Sequence, residues 1–146
     1  MPSTSHFYIQ RQYTLWNAAI SSAWTDGVAI LSTGEEDNGA VDAKDCNKLM
    51  LYLNVSMGDS NRIDIKVLFS DTNLDSIVFS TVWYPRTDGT IVAGVNTLSA
   101  YYESVTVSGQ YRIPITIMDK YIKIQARGHG DLNGSALAIE GFVGTA

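Results

Sequence analysis

The stretch that decides the fold class is Lys48-Leu49-Met50-Leu51-Tyr52-Leu53-Asn54-Val55-Ser56-Met57. Leu49, Leu51, Leu53, Val55 and Met57 fall on one side, and Tyr52, Asn54 and Ser56 fall opposite, which is the period-two signature of a half-buried strand. Gly58-Asp59-Ser60-Asn61, all turn formers, follow at once. Beyond them Ile63, Ile65, Val67 and Phe69 repeat the alternation against Arg62, Asp64, Lys66 and Ser70. Two alternating runs joined by four turn residues predict a β-hairpin.

The same reading extends outward. Strands are expected at Ile77 to Tyr84, around Ile91 to Val95, at Ser104 to Val107 and at Tyr111 to Ile117, where Pro114 argues for an edge or a bend. Tyr121 to Arg127 and Ser135 to Phe142, linked by Gly128-His129-Gly130-Asp131-Leu132-Asn133-Gly134, predict a terminal hairpin with a long, mobile tip. Before Lys48 the pattern weakens. Phe7, Ile9, Tyr13 and Leu15 suggest one strand and Val28 to Leu31 another, while Leu15 to Trp24 fits a short helical turn or an aromatic-anchored loop. Gly34 to Gly39, with Glu35, Glu36 and Asp37 in succession, reads as an exposed acidic loop.

Many short strands between turn signals, with no convincing amphipathic helix, predict an all-β fold: a single antiparallel β-sandwich of the jelly-roll kind with few or no helices. No repeat or linker divides the chain, so residues 1–146 are expected to form one domain, with 1–6 as a flexible N-terminal arm. At 146 residues, 45% of them hydrophobic and 17% charged, the chain can build one ordinary core.

Fifteen acidic against ten basic residues give a net charge of −5 without any Lys/Arg cluster, so a nucleic-acid backbone is not an expected partner. The single cysteine, Cys46, cannot form an intramolecular disulfide and fits folding in a reducing cytosol. The N-terminal residues carry no secretory signal pattern, and no run is long enough to span a bilayer, so no membrane association is expected.

Catalytic and metal chemistry find little support. His6 and His129 are the only candidate imidazole bases, one in the expected arm and the other in the glycine-rich turn. Glu103 and Glu140 fall on predicted strands, where solvated side chains are the simpler reading than a glycosidase pair. Asp71-Thr72-Asn73-Leu74-Asp75 opens like a calcium loop but has Ser76 where glycine is needed and Val82 where glutamate is needed. Cys46 has no partner at zinc-ligand spacing. No enzyme activity, cofactor or metal is therefore expected. Aromatic pairs carry the surface signal: Trp83 with Tyr84, and Tyr101 with Tyr102, place rings on opposite faces of a strand. An outward ring can stack on a sugar or anchor an interface, whereas an inward one packs in the core.

The paired runs Lys48 to Val55 and Ile63 to Asp71 resemble those of small β-sandwich proteins of tailed-bacteriophage virions. Tyr111-Arg112-Ile113-Pro114, Asp119 to Ile124 and the glycine-rich turn before Ser135-Ala136-Leu137 continue the likeness in the same order, over roughly the C-terminal two thirds of the chain. The resemblance implies a non-enzymatic structural protein, made in the host cytoplasm and carried in the virion, that decorates the capsid or associates with the head. Its expected partners are the major capsid protein or other virion proteins, and copies of itself as a homo-oligomer. The N-terminal part departs from the pattern, and there Phe7, Tyr8, Trp16 and Trp24 are the expected contact residues, since aromatics beside a polar arm are good anchors. The alternative is a carbohydrate-binding or tail-appendage adhesion module that holds glycans on Trp83, Tyr84, Tyr101 or Tyr102.

Overall fold

The computed structural model describes residues 7–37, 40–70 and 101–146, with Tyr101 and Tyr102 described through their backbone alone. Its strands are β1 (Tyr8–Ala18), β2 (Thr25–Asp26), β3 (Ile30–Leu31), β4 (Val41–Asp42), β5 (Lys48–Ser56), β6 (Ser60–Ser70), β7 (Tyr101–Val105), β8 (Gly109–Thr116), β9 (Tyr121–Gly130) and β10 (Ala136–Thr145). No helix occurs among the described residues. The expected arm at 1–6, the strands expected at 77–84 and 91–95, and the acidic turn Asp71 to Asp75 lie outside the described residues.

The strands form two antiparallel sheets. One runs β3-β1-β10-β5-β8, and the other β2-β9-β6-β7, with β4 also on β9. The pairing has a simple logic. β1 pairs β10, β2 pairs β9, β5 pairs β8 and β6 pairs β7, so the first half of the chain lies antiparallel to the second half as one long ribbon. Rolling that ribbon brings β10 against β5 and β9 against β6, which completes both sheets. This is a jelly roll.

Between the sheets lies the core. Leu49, Leu51, Leu53 and Val55 of β5, Leu137, Ile139 and Val143 of β10, and Ile113 and Ile115 of β8 face Ile63, Ile65, Val67 and Phe69 of β6 and Ile122, Ile124 and Ala126 of β9. Each of these is buried because its strand alternates at period two with the apolar set turned inward. Tyr13 and Leu15 of β1 join them, and Trp16 is buried as well, with its indole Nε1 donating to Ala18 O at 3.2 Å.

The topology corrects two expectations. Lys48–Met57 and Ile63–Phe69 are strands with their apolar faces turned inward as read, but they are not a hairpin: β5 and β6 belong to opposite sheets, and residues 57–59 carry the chain across the sandwich. Nor is the terminal pair a hairpin, since β9 and β10 also lie in different sheets and residues 131–135 cross between them. The reason is that alternation fixes which face is buried and leaves the hydrogen-bonding neighbour open, because a strand facing its predecessor across the core has the same pattern as one beside it.

The crossings interlock. Asp59 N donates to Asn133 O at 2.9 Å, and Met57 N donates to Ser108 Oγ at 2.9 Å, joining the two crossings to the 106–108 loop between β7 and β8. Gly58 has φ +53°, and a Cβ there would lie 2.4 Å from Asn133 O, so only glycine allows the loops this approach.

At the N-terminal side the strand is longer than expected. β1 continues to Ala18 through register shifts near Ile9 and Thr14, so the turn or loop read from Leu15 begins only after it. Of the strand expected at Val28 to Leu31, only Ile30–Leu31 forms β3. The acidic loop doubles back on itself, with Leu31 N donating to Glu35 O at 2.8 Å and Asp37 N to Ala29 O at 2.9 Å. Pro114 sits on β8, which is at the edge of its sheet among the described residues, a position where strands tolerate proline.

Candidate functional site

Among the described residues, three surfaces carry chemistry of interest. The first is one end of the first sheet, where large hydrophobic side chains are exposed. Register across the first sheet aligns Ile9 with Gly144, Gly144 with Lys48 and Lys48 with Thr116. Three strand spacings separate β1 from β8, about 14 Å. Tyr8 and Ile9 therefore share one end of the sheet with Met118, which follows β8, and they are 65%, 55% and 50% exposed. Phe7 is half-buried beside them, with its ring edge close to Gly144.

The second surface is the outer face of the second sheet. Ser104, Asp64 and Arg127 stand in one cross-strand row. The Asp64 carboxylate, fully buried, accepts from Ser104 Oγ at 2.8 Å and pairs with Arg62 Nε at 3.0 Å and Arg127 Nε at 3.2 Å. His129 Nε2 lies 2.6 Å from Asp64 Oδ2. The same ring nitrogen lies 3.0 Å from Arg62 Nη2, so its role in each contact depends on the tautomer. Trp24 lies over the cations, its ring centroid 4.1 Å from Lys66 Nζ and 4.4 Å from Arg127 Cζ. Burial lowers the Lys66 pKa, and the neighbouring Arg127 charge adds to the effect.

His129 therefore differs from its sequence reading. It belongs to β9, which runs to Gly130, and not to a glycine-rich turn. Gly128 is a close-packing position inside that strand, where a Cβ would meet Leu132 Cδ2 at 2.5 Å. The arrangement is not a nucleophilic triad, because Ser104 donates to Asp64 itself, whereas a triad sets the hydroxyl on the histidine's other nitrogen. It pins β6, β7 and β9 together from outside.

On the outer face of the first sheet lies the third surface, a depression of about 600 Å3. Arg112, Tyr52, Glu140 and Thr14 form one row across β8, β5, β10 and β1. Thr14 Oγ1 donates to Glu140 Oε1 at 3.1 Å. Gln110, Asn54 and Ala138 form the next row and also line the depression. Tyr52 is 41% exposed, and its ring meets Phe142 edge-on, with centroids 5.2 Å apart.

The expected contact residues are thus dispersed. Phe7 and Tyr8 are at one end of the first sheet, Trp24 covers the outer cluster of the second sheet, and Trp16 is only 5% exposed. Trp16 faces the core side of β1 and has no ring surface to offer a partner. Trp83 and Tyr84 lie outside the described residues. Tyr101 and Tyr102 are in β7, in register with Val67 and Lys66. Glu103 and Glu140 belong to different sheets, Glu140 on an outward face, so they do not flank one cleft. Tyr52, Asn54, Gln110 and Arg112 had no place in the sequence reading of function. The available signal was the polar set opposite Leu51 and Leu53, which acquires meaning only when β8 and β10 are placed beside it.

Among the described residues, no group of three or more His, Cys, Asp or Glu side chains is arranged to hold a metal ion. Nor is any helix among them long and apolar enough to cross a membrane.

No family model matches the chain, and no curated protein matches it. Solved structures do share its fold. A protein of the Bacillus endospore appendages, described as a novel family of disulfide-linked pili, superposes with TM-score 0.52 at 9% identity, covering 99% of this chain and 95% of its own. The PRD1 vertex protein P5 superposes with TM-score 0.52 at 10% identity, over 93% of this chain and 98% of its own. These likenesses are of fold.

Proposed function

We propose that the chain is a non-enzymatic structural component of a bacteriophage virion, a capsid decoration or head-associated protein that binds the particle surface and stabilises it. The observation that carries this reading is the exposure of Tyr8, Ile9 and Met118, three large side chains each at least half exposed at one end of the first sheet. Such side chains gain roughly 25 cal/mol for each Å2 of apolar surface that a partner covers. Repeated over a symmetric lattice, a modest gain at each copy adds up to firm attachment. Two solved structures that share this fold are a pilus protein and a vertex protein, which suits an assembly role. The net charge of −5 keeps unassembled copies apart in solution.

The test is cosedimentation of the purified chain with virions that lack it. The wild type is expected to pellet with the particles to saturation. Tyr8→Ser and Met118→Ser, both at exposed positions, are expected to stay folded and remain in the supernatant. Variants that bind as the wild type does would remove this end from the account.

A further inference from the structure

We propose that the outer face of the first sheet, between β5, β8 and β10, is a binding groove for a neutral oligosaccharide. A pyranose ring presents an apolar C–H face and a rim of hydroxyls, and this groove supplies a partner for each. The C–H face matches the ring of Tyr52, whose orientation is fixed by the edge-on contact with Phe142 at an interplanar angle of 83°. The hydroxyl rim matches Asn54 and Gln110, whose amides both donate and accept, together with Arg112 as donor and Glu140 as acceptor.

Depth comes from the centre. Ala138 of β10 lies on the floor between longer side chains of β5 and the row beyond, and Ala136 extends the floor into an adjoining depression of about 250 Å3. The two depressions share Asn54 and Ala138, and together they follow β5 from Tyr52 to Ser56, about 13 Å of strand. That length accepts more than one sugar ring.

Charge decides the ligand class. Arg112 and Glu140 stand in the same row, so their charges offset and the groove selects for hydrogen bonding over net charge. Asn54, Gln110 and Arg112 are exposed and make no side-chain hydrogen bond among the described residues, so a ligand need break no internal bond to engage them. Binding without hydrolysis is expected, because Glu140 is the one carboxylate lining the groove among the described residues and glycoside hydrolysis uses two. The proposal is independent of particle attachment, which uses the end of the sheet and not its face.

The experiment is an amide NMR titration of the isotope-labelled full chain with three neutral hexasaccharides: an α-linked glucan, an N-acetylglucosamine oligomer and a β-linked mannan. At least one is expected to shift amides at 52–54, 110–112 and 138–140 saturably. Tyr52→Ala is expected to weaken that oligosaccharide by about tenfold or more while keeping a folded spectrum. Arg112→Ala gives a second, smaller loss, and Tyr8→Ser none. Silence of these amides with all three sugars up to about 10 mM overturns the proposal. So does saturable binding that maps elsewhere, or full affinity in a folded Tyr52→Ala chain. Loss of virion binding by Tyr8→Ser with an unchanged sugar titration would separate the two functions.

Discussion

Asp64 and Arg127 face each other across the β6–β9 register and are joined by a 3.2 Å ion pair, with the aspartate side chain fully buried on what would otherwise be a solvent face. Its burial follows from the cover that Arg62, Arg127 and His129 provide. Removing the carboxylate leaves those donors without their shared acceptor. Asp64→Ala is therefore expected to destabilise the fold by about 3 kcal/mol, measured by urea denaturation, with far-ultraviolet circular dichroism unchanged before the transition. A loss below about 1 kcal/mol would mean that the cluster holds nothing together.

Gly58 is the second sensitive point. Because a Cβ at this position would collide with the backbone of residues 133–135, and because its φ is positive, Gly58→Ala is expected to cost about 2 kcal/mol. Gly34 also has positive φ but open space around it, so Gly34→Ala is expected to cost less. Thermal melts of the two variants side by side separate strain from collision.

Tyr13 makes stability depend on alkaline pH. Burial raises its phenol pKa far above the ordinary range, and the hydrogen bond to Asp37 Oδ2 at 2.8 Å adds to the rise. An unfolded tyrosine ionises near about 10, so the folded state holds its proton where the unfolded state has lost it. The contribution is full below that pH, and stability falls above it by at most about 1.4 kcal/mol per pH unit. Lys66 has the opposite sign: its folded pKa is lowered, so stability rises as pH climbs between its folded and unfolded values. Comparing the wild type with Tyr13→Phe isolates the tyrosine. The variant should lose the steep alkaline decline, with a cost of about 1–2 kcal/mol at neutral pH because Asp37 loses a donor and Asp42 N an acceptor.

What could be read in the sequence was the orientation of faces. Leu49 to Met57 and Ile63 to Phe69 point inward as their alternation requires, and the edge position of β8 agrees with Pro114. What could not be read was adjacency. Gly58 to Asn61 suits a hairpin turn and a sheet crossing equally, and the difference lies in the packing of Gly58 on Asn133, a contact between distant segments. The same limit hid the groove. Tyr52 meets Arg112 and Glu140 only because β8 and β10 flank β5, and Asp64 meets His129 only because β9 flanks β6. Glycines also misled, since Gly128 looks like a turn residue yet lies inside β9, packed against the Leu132 side chain.

The most direct test of the structural role is the copy number of the chain in purified virions, obtained by quantitative mass spectrometry with labelled peptide standards across density-gradient fractions. The account predicts a constant ratio to the major capsid protein in every particle-containing fraction. A ratio that falls towards zero as particles are purified, with the chain left among soluble cell proteins, would contradict it.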